Sequence, residues 1–237
     1  TILLQKMYRY GVRGSPLKWF SNYLTGRKQY VKLDNIESSL QPITCGVPQG
    51  STLGPLLFLI YVNDLPNSSN KFNFKIFADD TNIFYSSKNC ADLEQIVNDE
   101  LINVLKYCNT NKLSINFKKT NFMLIASQRR KATINITACD ITQKSHIKYL
   151  GVFIDEHLKW DAQIQHVNSC LSKNLGILKK LRYYLPLNTL RQLYYSFIYP
   201  YISYGLMSWG TACQTRLQSI KSKINKCIKS IFFCLIF

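Results

Sequence analysis

At 237 residues, with 46% hydrophobic and 18% charged residues, the chain has the length for a full apolar core in one or two domains and carries no long low-complexity segment. Lys and Arg number 30 against 13 Asp and Glu, a net charge of +17 that attracts polyanions over long range; nucleic acid is the favoured partner and an acidic membrane surface the rival. The 8 cysteines include no Cys-x-x-Cys pair and read as reduced thiols of an intracellular protein, with neither a secretory leader nor an apolar run long enough to span a bilayer.

The chain opens inside a helical pattern, with Leu3, Leu4, Met7 and Tyr8 at helical spacing. Gly11 and Gly14 end that helix. Ser15 as cap and Pro16 at the first position start a second, with Leu17, Phe20 and Leu24 on one face. Residues 27–34 and 39–44 read as two short strands joined by a polar turn. Gly46, Pro48, Gln49, Gly50, Gly54 and Pro55 then make a loop whose backbone can approach a flat ligand, leading into an apolar helix over 56–62 that is expected to be buried. A glycine-rich loop before a helix can cradle phosphate, but this one lacks the Gly-Lys-Ser/Thr ending of a P-loop, which argues against an ATPase.

Residues 72–85 have apolar, aromatic and β-branched halves around the pair Asp79 and Asp80, which predicts a β-hairpin with two carboxylates at its turn. Aspartate is an ordinary turn residue. Two adjacent carboxylates where strand alternation breaks are also oxygen ligands for a hard divalent cation such as Mg²⁺. Leu93, Ile96, Val97, Leu101, Val104, Leu105 and Cys108 then repeat at helical spacing, as a helix packed on the hairpin's back. Residues 132–141 and 147–154 read as β-rich pieces. From Trp160 the composition turns helical: a stripe from Ile164 to Leu181, a second helix from Leu190 to Tyr201 disturbed at Pro200, and a third stripe from Leu217 to Ile231 interleaved with lysines. His157, His166 and Cys170 invite a zinc reading, but no fourth ligand follows at a suitable spacing.

The loop 46–50 with its helix to Pro66, then Phe77-Ala78-Asp79-Asp80, then Leu113 to Thr120, then Lys148 to Asp155, resemble in order the motifs of reverse transcriptases, most closely those of non-LTR (LINE-like) retrotransposons. The resemblance runs from Thr1 to about Trp209. It implies an α+β fold: a partial polymerase palm over 1–155, an antiparallel sheet with packing helices, followed by an α-helical thumb-like region over 156–237. It implies RNA-directed DNA polymerase activity that adds dNTPs to the 3′-hydroxyl of a DNA primer on an RNA template. It implies that Asp79, and less directly Asp80, hold the two Mg²⁺ ions of a two-metal nucleotidyl transfer, and that Lys119 is the general acid toward pyrophosphate. Pro48, Gln49 and Gly50, with Phe77 and Ala78, match the segments that face template base and nucleotide. Leu150 and Gly151 match the primer grip. Phe77 stands where many members have Tyr.

One further catalytic aspartate of the family belongs on a strand ahead of the helix that begins at Thr1, and the chain does not contain it. The expectation is therefore a polymerase domain fragment inactive by itself, in the nucleus or cytoplasm and not on a membrane. The alternative is a catalytically dead retrotransposon remnant that binds nucleic acid through its basic surface. A third reading makes the 217–231 stripe an interfacial membrane helix.

Overall fold

The computed structural model describes residues 1–48, 50–127 and 133–232, except for the side chain of residue 232. The chain is mixed α and β and divides into two compact units, one of residues 1–116 with 134–140, the other of 117–133 with 141–237.

In the first unit, helix α1 (Ile2–Arg9) and helix α2 (Gly14–Leu24) come first. Arg13, extended, occupies the N-cap of α2, so Ser15 and Pro16 lie within the first turn, two residues further in than the capping pattern suggested. Strand β1 (Lys28–Gln29) pairs with β4 (Gln41–Pro42), and inside it β2 (Lys32–Leu33) pairs with β3 (Ile36–Glu37) around a turn at Asp34. The second arm thus begins earlier than residue 39, because the polar turn closes directly after Leu33. Helix α3 (Gly54–Val62) buries Leu57 against Leu3 and Met7, with Leu17, Phe20 and Tyr23 packed around them. Its opposite side leaves Leu56 and Leu59 exposed, so the helix is buried on one face only, where α1 reaches it.

Strand β5 (Asn73–Phe77) and strand β6 (Asp80–Phe84) form an antiparallel hairpin with Phe74 opposite Ile83 and Phe77 opposite Asp80. The inward set Phe74, Ile76, Ile83 and Tyr85 packs with Leu65 and Phe72 on Val97, Leu101, Val104 and Cys108 of helix α4 (Cys90–Thr110). An isolated hairpin is marginal in water, and this helix supplies the apolar face it needs. The side chain of Asn89 caps α4 by accepting from the Ala91 amide at 3.1 Å.

Residues 133–141 are not a strand, contrary to the sequence pattern, and Ala132 lies outside the described residues. Part of the backbone of that stretch is bonded instead by side chains of α4. Asn98 Oδ1 accepts from the Thr137 and Ala138 amides at 2.7 and 3.1 Å, its Nδ2 donates to the Asn135 carbonyl at 2.9 Å, and Glu94 accepts from the Asn135 amide at 3.0 Å. Those bonds compete with a strand ladder for the amides of Asn135, Thr137 and Ala138.

In the second unit, β7 (Asn121–Phe122) pairs in parallel with β8 (Thr142–Gln143), and β9 (His146–Tyr149) pairs antiparallel with β10 (Val152–Asp155). Helix α5 (Asp161–Leu181) carries the expected stripe of Ile164, Val167, Leu171, Leu175 and Leu178, all buried. It packs on helix α9 (Gln214–Phe232) through Ile220, Cys227 and Ile231, and Leu190, Ile198 and Trp209 close the core. Between them lie α6 (Leu187–Phe197), α7 (Tyr199–Ser203) and α8 (Leu206–Trp209); the break falls at Ile198, with Pro200 in the first turn of α7. Among the described residues the antiparallel sheet expected for a palm appears as separate two-stranded ladders, since each strand is bonded to one partner only.

Candidate active site

The hairpin β5–β6 turns through two residues, Ala78 and Asp79, because Phe77 and Asp80 already pair across the ladder. A turn this tight needs a left-handed residue, ordinarily glycine or asparagine. Here Ala78 takes it, at φ 50°. A non-glycine residue in that region costs about 1 kcal/mol or more, and such strain tends to persist where the turn has a task. The turn presents Asp79, with Asp80 next to it as the first residue of β6, and both are exposed. Phe77 is exposed as well. Each carboxylate offers hard oxygen donors, and among the described residues neither takes part in a salt bridge.

Asp79 and Asp80 fit one divalent cation as a partial donor set. Two carboxylates occupy few of the six positions Mg²⁺ requires, and the rest suit water and phosphate oxygen. Among the described residues no group of three or more His, Cys, Asp or Glu side chains is placed to hold a metal. His166 and Cys170 meet at 3.8 Å on α5, while His157 Nδ1 faces the Ala126 carbonyl at 2.9 Å.

The loop before α3 is shaped by a residue the sequence reading passed over. Ser51 Oγ donates to the Pro48 carbonyl at 2.8 Å and accepts from the Gly54 amide at 3.0 Å, tying both ends of the turn. Gly50 is left-handed at φ 78°, and a side chain on Gly54 would lie 3.1 Å from the Pro48 carbonyl oxygen. A serine between turn glycines, three residues before a helix-starting Gly-Pro, is the signal that finds it. Gln49 lies outside the described residues. Pro48 and Gly50 adjoin the cluster of α1, α2 and α3, whereas Asp79 and Asp80 sit at the tip of the hairpin that packs on α4.

Lys119 belongs to the second unit, in the turn before β7, where its carbonyl accepts from Asn121 Nδ2 at 2.9 Å and the residue is exposed. Leu150 and Gly151 form the turn between β9 and β10, both left-handed, at φ 44° and 87°. The Tyr204 hydroxyl donates to the Leu150 carbonyl, and a side chain on Gly151 would meet the Tyr204 ring at 3.1 Å. The glycine therefore has an intramolecular reason to be bare on that side.

The family model described as "Reverse transcriptase (RNA-dependent DNA polymerase)" matches residues 1–154. The chain is 28% identical over 222 residues to a protein of Drosophila melanogaster named "Probable RNA-directed DNA polymerase from transposon X-element", covering 90% of this chain and 24% of that one. It is 25% identical over 221 residues to "RNA-directed DNA polymerase from mobile element jockey" of the same species, covering 89% and 24%. It is 24% identical over 223 residues to "Retrovirus-related Pol polyprotein from type-1 retrotransposable element R1" of Bradysia coprophila, covering 91% and 22%. The chain spans about a quarter of the length of these curated relatives. No solved structure matches it. With the family matched across more than half its length and its motifs in the family's order, the chain belongs to the reverse transcriptase family, related to the enzymes of non-LTR retrotransposons.

Proposed function

We propose that the chain is a segment of an RNA-directed DNA polymerase that adds dNTPs to the 3′-hydroxyl of a DNA primer on an RNA template inside the cell, nucleus or cytoplasm. The observation that carries this reading is the strained Ala78 turn presenting Asp79 and Asp80 in a chain matched by the family over residues 1–154. Asp79 and Asp80 would hold Mg²⁺, which when bound there would supply positive charge beside the primer hydroxyl and the departing pyrophosphate. Pro48, Gln49 and Gly50 offer a small, flat surface to the base pair being formed, with Phe77 and Ala78 beside the reacting end. Leu150 and Gly151 position the primer terminus through their backbone. Lys119 gives a proton to the leaving pyrophosphate oxygen. Residues 1–155 serve as part of a palm and 156–237 as a thumb-like region.

The experiment is iron(II)–ascorbate cleavage of the 237-residue chain, in which hydroxyl radicals cut the backbone beside a bound divalent ion. Cuts next to residues 79–80, competed by Mg²⁺ and absent in Asp79→Asn, support the site; uniform cutting unaffected by that substitution sinks it.

A second reading is favoured by the net charge of +17: a remnant without catalysis that binds nucleic acid through its positive charge. Both readings require affinity for RNA that falls linearly with salt on logarithmic axes, by about 0.7 per neutralised phosphate on a single strand. They part on primer extension by a chain extended upstream. Among the described residues no helix is long and apolar enough to cross a membrane.

A further inference from the structure

After Asp161 the remaining 76 residues contain no Asp or Glu at all, while they hold ten Lys and Arg and seven of the chain's 15 tyrosines. Within the second unit the tyrosines are set mostly outward. Helix α6 turns Leu190 into the core with Leu187, Leu193 and Tyr194 packed about it. Its opposite face carries Asn188, Arg191, Gln192 and Tyr195, spaced three or four apart, all exposed. Tyr195 continues to Tyr199 at the start of α7, their ring centroids 5.6 Å apart and inclined at 62°. The two are 58% and 48% exposed. At the other end of α6, Tyr183 and Tyr184 are 71% and 83% exposed, with the Arg182 guanidinium 4.5 Å from the Tyr183 ring centroid. An 11-residue helix is about 16 Å long, the reach of a few nucleotides, and along the chain Arg191 lies between Tyr183–Tyr184 and Tyr195–Tyr199.

Exposed aromatic rings are costly in water unless something covers them, and a protein partner would ordinarily meet them with mixed charge. A surface with no carboxylate in its whole stretch of chain selects against acidic-and-basic complementarity and for a uniformly anionic occupant that also has flat apolar faces. Unpaired nucleotides have both properties, phosphate for the cations and base faces for the rings. A duplex hides its base faces inside the stack and offers only phosphate.

We propose that the outward face of α6, with Arg191 and Tyr195, together with Tyr183 and Tyr184 just before it and Tyr199 at the start of α7, is a stacking platform for single-stranded RNA or DNA. The occupant is taken to be nucleic acid in keeping with the function proposed above, and Arg191 anchors a phosphate between the two ring pairs.

The test uses the 237-residue chain and three fluorescent probes of equal length, about 12 nucleotides, within the span of single-strand sites: oligothymidine, the same backbone without bases, and a blunt duplex. Oligothymidine is expected to bind about 5- to 150-fold more tightly than the abasic strand, the range given by stacking of one base. Tyr195→Ala with Tyr199→Ala should bring that ratio close to one and leave the abasic affinity unchanged. The paired Phe substitutions, which keep the rings, should retain the ratio and show that the fold survives. Arg191→Ala should lower affinity for both strands alike and reduce the salt slope by about 0.7. Equal binding of oligothymidine and the abasic strand, or a duplex bound as tightly as the single strand, overturns the platform while leaving charge-driven binding intact. Loss of the ratio in the Phe variants overturns it too. Failure of every probe to bind overturns the nucleic-acid reading itself.

Discussion

The Lys6 ammonium lies 2.5 Å from Asp64 Oδ1, and the same oxygen accepts the Tyr107 hydroxyl at 2.6 Å. Lys6 also donates to the Tyr61 carbonyl at 2.6 Å and sits 4.9 Å from the Tyr61 ring centroid. One buried lysine on α1 thereby joins the end of α3 to α4. Burial alone would push the Asp64 carboxyl up, but hydrogen bonds from Lys6 and Tyr107, together with the ammonium's charge, hold it below the usual carboxylate range.

A folded-state pKa below the unfolded one means that this contribution is complete above the unfolded value of about 3.9 and is lost as pH falls through the folded value. Asp64→Asn should therefore cost about 1–3 kcal/mol at neutral pH, chiefly by leaving the ammonium short of a charged partner. The difference between wild type and variant should shrink toward zero below about pH 4. Urea unfolding at a series of pH values measures it. A gap independent of pH would assign the cost to packing and not to the ion pair.

Ala78 holds a left-handed turn position that glycine takes without strain. Ala78→Gly should stabilise the hairpin, by about 0.5–1 kcal/mol, with the entropy of the unfolded glycine offsetting part of the relief. Metal-dependent cleavage at residues 79–80 should be weaker or more diffuse in the variant, because the turn that presents the two carboxylates becomes more mobile. A destabilised variant would show that Ala78 is held by contacts instead of being strained.

Tyr204 braces the β9–β10 turn through its hydroxyl bond to Leu150 and its ring against Gly151, while Trp209 Nε1 donates to the Tyr204 carbonyl at 2.8 Å. Tyr204→Phe should cost about 1 kcal/mol and speed amide exchange at residues 150–152. Gly151→Ala should cost more, since it meets both the positive φ and the ring. Exchange measured by mass spectrometry, unchanged in both variants, would remove Tyr204 as the brace.

In a chain extended upstream until primer extension is measurable, Asp79→Asn should nearly abolish it and Asp80→Asn should cost less. Lys119→Leu should slow single-turnover extension by about 10²–10⁴-fold if it is the proton donor. Binding of template and primer should survive all three, because the basic helices are untouched. Near wild-type extension by Asp79→Asn would leave the hairpin a polar turn.

Periodicity made the helices legible: the buried positions of α5 are the stripe read from the sequence, and the break near Pro200 follows from a missing amide. The hairpin of residues 72–85 was equally plain, since alternation and a polar centre leave little else for it to do. Residues 133–141 misled because β-branched composition says what a strand prefers and nothing about Asn98 and Glu94, some 40 residues earlier, taking its amides. The apolar run of α3 likewise says that the helix seeks cover, not that Leu56 and Leu59 find any within the described residues.

By itself the sequence determined what depends on order and composition: the family, through four motifs in series, the +17 charge, and the residue types offered at Asp79, Asp80 and Lys119. Tertiary structure alone decided which groups satisfy one another across the chain. Lys6 with Asp64, Ser51 with Pro48 and Gly54, Tyr204 with Leu150, and the outward setting of Tyr195 and Tyr199 are all of this kind. The reason is physical. Local propensity is fixed by a residue and its near neighbours, whereas hydrogen-bond partners and solvent exposure are fixed by whichever distant segments the packed core brings alongside.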